Sequence, residues 1–412
     1  MKILHICTGW PLSYKGGITN YVRSIAYAQY KNGHDVSVLG REDKDKYPFR
    51  YINYSFDKIK PFTYMPLVDK SGLNWINKLL CEENYDIIHI HALEYVDWDL
   101  YQILKGKHYV VSLHDYCFIC PRIYMFTPQN TVCEKYDEIK CNKCFSYLDR
   151  YKIFRGGIKI INKALHTKLS VPYIPQKIAS TRYKKYSELL NSADYILPVS
   201  QKVDEIYKAS GITAKSKVLH IGNGSADEFK EDFQYDLNPH IFKIVFLGRL
   251  SEYKGVDLFL NIAKHYKAST SVQFYFLGRS GEYADKLKEC GIIDRGAYNP
   301  RELSSLLQEY DLGMVLSIWH DNGPQVVMEL LNNHVPVIGT KMGGIPDFVN
   351  NSNGFIFNPY DSSDISELYS FIDNLTPERI FQLKKNIHRT VTPQEHYDEL
   401  MKVYNDVLSR TQ

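Results

Sequence analysis

Short apolar runs alternate with amphipathic stretches along most of the chain. Residues 2–8 form the first apolar run, a helical pattern covers residues 19–31 and is closed by Gly33, and a second apolar run follows at residues 35–39. This order predicts a strand, a crossover helix and a parallel strand, as in a doubly wound α/β sheet. Later apolar runs predict further strands at residues 86–91, 109–113, 242–247, 273–277, 335–339 and 354–359, and a last helix at 393–408.

Length and composition favour a folded protein of two domains. The chain has 412 residues, 44% of them apolar and 24% charged, which excludes general disorder. The polar, acidic stretch at 225–240 is the expected linker. We expect a first domain at 1–235, a second at 240–390 and a helix at 391–412 that returns to the first domain.

Charge and hydropathy limit the partners and the cellular location that we expect for the protein. A net charge of +3 argues against nucleic acid as a general partner. No apolar run approaches the roughly 20 residues of a membrane span, and a strand that begins at residue 2 leaves no room for a signal peptide. We therefore expect a cytoplasmic protein, with the inner face of the cell membrane as a second expectation.

Two cations and two acids in the second half suggest a site for a phosphorylated, hydroxyl-rich ligand. Arg249 and Lys254 follow the predicted strand at 242–247, where they can neutralise a diphosphate. Asp321 and Glu329 are eight residues apart, and Pro324 marks the start of a helix between them. Glu329 would accept hydrogen bonds from ligand hydroxyls.

Two features of the first half suggest that it also contacts this ligand. Gly16 and Gly17 precede the first helix, and glycines let backbone N–H groups approach phosphate closely. His114 follows the strand at 109–113, and ligands bind beyond the carboxyl ends of parallel strands. His91 ends the preceding strand. No G-x-G-x-x-G follows a strand and no Walker loop is found, so the sequence gives no support to NAD or P-loop chemistry.

Taken in chain order, these segments resemble the family 4 glycosyltransferases, which are retaining enzymes of the GT-B fold with two Rossmann-like domains facing a cleft. The resemblance also includes Asn223–Gly224 and Gly343–Gly344. It implies that Glu329 holds the donor ribose and that Arg249 and Lys254 act on the diphosphate. It further implies that Gly16–Gly17 close over the donor, that His114 lies by the donor sugar, and that this sugar is held by Asp321, Asn322, Gly323, Pro324, Gln325 and Val326.

The chain departs from the family pattern at three points. Asp321 stands where the family usually has Glu. Leu330 and Leu331 replace small residues, and His334 replaces a glycine before the next strand.

The implied activity is sugar transfer from a UDP- or GDP-sugar to a glycan or lipid-linked acceptor, in bacterial cell-surface polysaccharide biosynthesis. Catalysis of this kind requires no metal cofactor, because Arg249 and Lys254 can carry the charge of the leaving diphosphate. Two alternatives stay open. One is another GT-B enzyme, such as a nucleotide-sugar epimerase or an inverting transferase, and the other is a non-catalytic partner subunit.

A cysteine-rich insert occupies residues 117–145. Cys141 and Cys144 have the spacing of a metal knuckle, and Cys120 and Cys133 could complete a tetrahedral site for a structural zinc. Cys117 and Cys120 offer a competing pair, and reduced thiols in a surface subdomain are the alternative. A subset of family 4 enzymes carries a similar HDY…CP segment with later cysteines.

The segment at 150–188 is strongly basic. It holds ten Lys or Arg residues and one acid, with aromatic residues between them. Its helical pattern at 158–169 places Ile158, Ile161, Leu165 and Leu169 on one side, which favours a helix lying on anionic lipid. A solvated helix packed on the domain is the alternative.

Overall fold

The structure is a computed structural model, and it describes residues 1–7, 16–40, 46–53, 70–92, 100–120, 122–127, 129–144, 152–167 and 178–410. The chain divides into two compact units. The first contains residues 1–199, 203–219 and 397–412, and the second contains residues 200–202 and 220–396. The predicted linker at 225–240 lies within the second unit.

The first unit is built on a parallel six-stranded sheet of order β3-β2-β1-β4-β5-β6. Its strands are β1 Lys2–Cys7, β2 Asp35–Gly40, β3 Arg50–Asn53, β4 Ile87–Ala92, β5 Tyr109–Leu113 and β6 Tyr195–Pro198. Ile3, Leu4 and Ile6 of β1 are all buried, as expected of a parallel strand that is covered on both faces.

The second unit has a parallel six-stranded sheet of order β12-β11-β10-β7-β8-β9. Its strands are β7 Phe242–Leu247, β8 Val272–Leu277, β9 Ile293–Asp294, β10 Leu312–Val315, β11 Val337–Thr340 and β12 Gly354–Phe357. Side chains of β7 alternate between two hydrophobic clusters, with Ile244 and Phe246 in one and Val245 and Leu247 in the other. The predicted α/β fold class with two doubly wound domains is confirmed.

Helices follow most of the strands in the described part of the chain. They are α1 Gly17–Lys31, α2 Lys70–Glu83, α3 Leu100–Leu104, α4 Glu138–Cys144, α5 Lys152–Leu165, α6 Ile178–Asn191, α7 Gln201–Ala209, α8 Val256–His265, α9 Ala284–Glu289, α10 Leu303–Leu307, α11 Gln325–Leu331, α12 Ser362–Asp373, α13 Pro377–Lys385 and α14 Pro393–Ser409. From Tyr397 onwards α14 belongs to the first unit. No helix among the described ranges is long and apolar enough to cross a bilayer.

Several predicted boundaries differ from the structure by one or more residues, and two of these differences have a clear physical cause. The strand predicted at 335–339 begins at Val337, because Pro336 has no N–H to donate to the sheet. The helix predicted at 158–169 begins earlier, at Lys152, and ends at Leu165 because His166 adopts a left-handed conformation with φ of 51°. Leu169 lies outside the described residues.

Candidate active site

A pocket of about 210 Å³ lies at the carboxyl ends of β7 and β10 in the second unit. Parallel strands of an α/β sheet bind ligands at this end. The pocket brings together seven of the residues predicted from the sequence, which are Arg249, Lys254, Asp321, Gly323, Pro324, Gln325 and Val326. Asn322 belongs to the same loop, residues 321–326, but is buried and does not line the pocket.

The charged groups of this pocket are joined by short contacts. Lys254 Nζ donates to Asp321 Oδ2 at 2.5 Å, and the Ser317 hydroxyl donates to the same oxygen at 2.9 Å. The side chain of Lys254 is 39% exposed whereas that of Asp321 is 9% exposed. Arg249 is exposed, and no acidic partner for it is found in the described part of the chain. The lining residues therefore carry a net positive charge, which suits an anionic ligand.

Two glycines determine where Lys254 and Asp321 lie. Gly255 has φ of 75°, and a Cβ there would lie 1.9 Å from the Leu316 carbonyl oxygen. Gly343 has φ of 60°, and a Cβ there would lie 2.0 Å from the Asp321 carbonyl oxygen. Only glycine allows these close approaches. The predicted glycine turn at Gly343–Gly344 thus supports the Asp321 loop, and Gly344 N–H donates to the Asp321 carbonyl at 2.7 Å.

Gln325 begins α11, with Pro324 as its N-cap residue. The Gln325 side-chain oxygen accepts a hydrogen bond of 2.8 Å from Asn223 Nδ2. The Asn223–Gly224 segment predicted by resemblance therefore contacts the loop expected to hold the sugar.

Glu329 lies on α11 outside the lining of the 210 Å³ pocket. Burial raises the pKa of Glu329 to about 7. Tyr298 lies within electrostatic range, since the pKa of Tyr298 is raised to about 12 by burial and then by the charge of Glu329. The structure thus brings Glu329 close to Tyr298, in the loop that follows β9.

Nearby contacts accommodate the residues after Glu329 that depart from the family pattern. Leu330 packs over Gly313 of β10, where a Cβ would lie 2.5 Å from Leu330 Cδ1. His334 adopts the left-handed conformation that glycine favours, with φ of 55°. Its ring stacks on Phe229 and Phe233, and its Nε2 bonds the Lys230 carbonyl oxygen at 2.6 Å. These contacts stabilise the strained backbone.

In the first unit, Gly16 is the N-cap residue of α1 and Gly17 is its first residue. The helix predicted to begin at Thr19 therefore begins two residues earlier, within the predicted glycine pair. The neighbouring residues 8–15 lie outside the described ranges.

His114, directly after β5, belongs to a buried chain of histidines. His114 Nε2 lies 3.2 Å from His91 Nδ1, and His91 Nε2 lies 2.9 Å from His5 Nδ1. His5 Nε2 lies 2.6 Å from the Gln29 side-chain oxygen. A second histidine of β4, His89, contacts the Tyr404 hydroxyl at 2.6 Å and the Ser112 hydroxyl at 2.8 Å.

The orientation of the Gln29 amide determines which nitrogen donates and which accepts at each contact between these histidines. Its nitrogen lies 4.0 Å from Met401 Sδ, and in this orientation its oxygen accepts from His5 Nε2. For neutral rings, His5 Nδ1 then accepts from His91 and His91 Nδ1 accepts from His114, an assignment that puts the proton of each ring on Nε2. Burial lowers the pKa of His5 to about 4, so this ring is neutral near pH 7.

The same histidines include one group with metal-ligand geometry. Ligand atoms of His5, His89 and His91 lie within 4.8 Å of one another. Both nitrogens of His5 and both of His89 already have hydrogen-bond partners, and all three rings are at most 1% exposed. The cluster is therefore satisfied without an ion.

The four cysteines predicted as metal ligands line a separate pocket of about 400 Å³. The basic helix α5 exposes Ile160, Ile161 and Leu165. The described part of the basic segment also includes residues 178–188, whereas residues 150–151 and 168–177 lie outside the described ranges.

Several site residues were missed from the sequence. Ser317 carries no motif, and only the fold brings it to Asp321. His5, His89 and Gln29 are separated by up to 84 positions, yet His89 and His91 alternate along one strand. Two histidines at i and i+2 in an apolar strand point to the same face, which is a signal for a buried polar network.

The chain has two parallel six-stranded sheets, as the GT-B fold has, and the comparisons with known proteins show that it is a GT-B glycosyltransferase. The family model described as "Glycosyltransferase Family 4" matches residues 15–225, and the one described as "Glycosyl transferases group 1" matches residues 241–371. The chain belongs to glycosyltransferase family 4, and it is an enzyme that transfers sugars.

The relatives found by sequence comparison have low sequence identity to this chain. An uncharacterised 41.2 kDa protein in the cps region of Klebsiella pneumoniae is 23% identical over 375 residues, which is 89% of each chain. The putative teichuronic acid biosynthesis glycosyltransferase TuaC of Bacillus subtilis is 28% identical over 194 residues, which is 45% of this chain and 48% of TuaC.

Solved structures share the fold over the whole length. Sucrose-phosphate synthase from Thermosynechococcus elongatus superposes with a TM-score of 0.63 at 14% identity, covering 99% of both chains. HepE of Anabaena in complex with UDP-glucose superposes with a TM-score of 0.58 at 15% identity, covering 100% of this chain and 99% of HepE.

Proposed function

We propose that the protein transfers a sugar from a UDP- or GDP-sugar to a glycan or lipid-linked acceptor, with retention of anomeric configuration, in bacterial cell-surface polysaccharide assembly. The observation that carries the donor assignment is the convergence of Arg249, Lys254 and Asp321 with the loop 321–326 on one strand-end pocket. HepE, which shares the fold, binds UDP-glucose, and this supports a nucleotide-sugar donor.

The chemistry proposed for this pocket is stabilisation of the leaving diphosphate. As the bond to the anomeric carbon breaks, negative charge grows on the diphosphate oxygens. Arg249 and Lys254 line the pocket and can donate to these oxygens. Lys254 is already held by Asp321, so little reorganisation is needed when the charge develops.

The carboxylates around the pocket favour front-face attack. A double displacement would require a carboxylate free to attack the anomeric carbon. Asp321 is the only carboxylate lining the pocket among the described residues, and its Oδ2 is already shared by Lys254 and Ser317. We therefore assign attack by the acceptor on the same face from which the diphosphate leaves, which retains configuration.

Glu329 is assigned to the ribose and His114 to the sugar. The partly buried carboxylate of Glu329, near Tyr298, offers two acceptor oxygens for the ribose hydroxyls. The ring of His114 has a fixed orientation and offers a polar contact to the sugar.

Helix α5 supports a membrane-bound acceptor. Its exposed apolar side chains Ile161, at 42%, and Leu165, at 67%, are four residues apart on one side of the helix, in a segment of net charge +9. Anionic lipid attracts such a helix and accommodates its apolar face. Ile161→Asn combined with Leu165→Asn should reduce co-sedimentation with anionic vesicles, whereas Ile241→Asn, at another exposed isoleucine, should not. Equal binding of all variants would remove the membrane assignment.

The activity itself is tested with the full chain and a panel of UDP- and GDP-sugars. Release of nucleoside diphosphate reports turnover, and the anomeric proton coupling in the product reports stereochemistry. We expect an α-linked product from an α-linked donor. An inverted product would contradict the retaining mechanism, and an epimerised nucleotide-sugar without transfer would contradict the transferase assignment for that donor.

A further inference from the structure

Four thiols from three segments of the first unit surround one pocket of about 400 Å³. Cys120 lies in the loop after β5, Cys133 follows the turn at 127–131, and Cys141 and Cys144 lie on α4. All four are thiols rather than halves of disulfides. Cys120 is buried and the other three are partly buried.

The backbone that follows Cys120 is strained and brings Cys133 close to it. Ile123 has φ of 73° and Met125 has φ of 48°, and the left-handed region is especially unfavourable for a β-branched residue. Ile123 N–H donates to the Cys120 carbonyl at 2.9 Å, and Cys133 N–H donates to the Met125 carbonyl at 2.8 Å. These bonds hold the backbone of Cys120 and Cys133 on one side of the pocket.

The four cysteines face one space although they come from separate segments of the chain. Cys120, Cys133, Cys141 and Cys144 all line the same pocket. Four thiolates in one pocket would repel one another, and a divalent ion that prefers sulfur removes this repulsion. Zinc takes four thiolates in tetrahedral geometry.

The surroundings can balance the resulting charge. A zinc ion with four thiolates carries two negative charges. Cations on the lining are Arg122, Lys135 and Lys140, against the acids Glu134 and Asp137. Arg182 lies within electrostatic range of Cys120 and is 5% exposed, and its Nε and Nη1 have no hydrogen-bond partner among the described residues. A buried guanidinium of this kind is stabilised by an anionic centre nearby.

We propose that Cys120, Cys133, Cys141 and Cys144 bind one zinc ion and that this ion holds the insert together. Binding replaces four S–H bonds by four Zn–S bonds and releases the thiol protons to solvent. Zinc–sulfur bonds of about 2.3 Å place the sulfurs just under about 4 Å apart. No three of these sulfurs lie within 4.8 Å of one another in the structure, so binding draws the turn at 127–131 and α4 inward. Four thiolates leave no open position, so the ion is structural.

The test is metal content and cobalt substitution of the full chain, which do not depend on glycosyltransferase activity. Reduced wild-type protein purified from zinc-containing medium should hold about one equivalent of zinc, and Co²⁺ should give the intense visible bands of tetrahedral thiolate coordination. Cys141→Ser and Cys144→Ser should lose the metal, whereas Cys81→Ser, at an exposed cysteine outside the insert, should keep it.

Three outcomes would overturn the proposal. They are zinc below about a tenth of an equivalent together with no cobalt spectrum in wild-type protein, iron with sulfide in place of zinc, and full zinc content in Cys141→Ser. Full zinc content in Cys141→Ser would mean that zinc binds elsewhere, and His5, His89 and His91 would then be the candidate ligands. Because the wild-type cobalt titration needs no variant, misfolding of a cysteine variant does not obscure the answer.

Discussion

The strand-end pocket of the second unit and the histidine chain of the first unit use polar side chains in opposite ways. In the pocket, the Lys254 side chain is 39% exposed and forms an ion pair with the buried carboxylate of Asp321. In the histidine chain, His5 and His91 are at most 1% exposed and make neutral, directed hydrogen bonds. Both regions lie at or near the carboxyl ends of parallel strands.

This difference separates groups that can change partners from groups that cannot. The Lys254 ammonium is 39% exposed and carries three N–H donors, so it can donate to a diphosphate while it stays paired with Asp321. Leaving a buried donor or acceptor unpaired costs about 1–3 kcal/mol. The pocket is thus arranged for exchange with an anionic ligand, and the histidine chain for a fixed orientation of His114.

The largest change in kcat should come from removing the positive charge of Lys254 from the pocket. Lys254→Ala should lower kcat by about 10²–10³, because one donor to the developing charge is lost. The melting temperature should fall as well, because the buried carboxylate of Asp321 then loses its cation and keeps the Ser317 hydroxyl as a donor. Steady-state kinetics and thermal unfolding of the same preparation check both statements.

The control for this variant is Lys264→Ala, which removes an exposed lysine of α8, the helix that follows Lys254. It should retain wild-type kcat. A wild-type kcat in Lys254→Ala would remove Lys254 from the mechanism.

The fold was predictable from the sequence because parallel strands are buried on both faces. Their apolar runs stand out, and the strands predicted at 109–113 and 242–247 have the same bounds in the structure. Helix ends were less predictable. The end of α5 depends on the left-handed His166, and no residue pattern marks it.

The pocket was predictable where the chain order alone brings residues together. Arg249 and Lys254 follow β7, and the loop 321–326 follows β10, so neighbouring strands place them at one edge. The Ser317 contact to Asp321 and the chain from His114 to Gln29 depend on packing between distant segments. Sequence patterns do not encode which nitrogen of a histidine carries the proton.

Breaking the histidine chain should have the second largest effect. His91→Leu leaves His114 Nε2 and His5 Nδ1 without the partner they have now, which should lower the free energy of unfolding by about 1–3 kcal/mol for each group. With His114 less well oriented, kcat should fall roughly tenfold to a hundredfold, while the KM for the donor changes less. Denaturant unfolding, kinetics and ¹⁵N NMR of the His114 ring measure these effects.

The matched control is His388→Leu, at an exposed histidine of the second unit. It should leave both stability and kcat close to wild type. If His91→Leu has a lower free energy of unfolding but keeps the wild-type kcat and the wild-type His114 tautomer, the row of histidines has a structural role only.

The smallest effect should come from Glu329, which shares features of both regions because it is partly buried and also titrates near neutrality. Its raised pKa, about 7, means that the carboxylate gains a proton as the pH falls through 7. Ribose hydroxyls donate to the ionised form, so the KM for the donor should rise about tenfold between pH 8 and pH 6. Glu329→Gln should have a higher KM at pH 8 and no such pH dependence, whereas Glu302→Gln, at an exposed acid, should behave as wild type. A pH-dependent KM that persists in Glu329→Gln would assign the titration to another group and leave Glu329 without a role in donor binding.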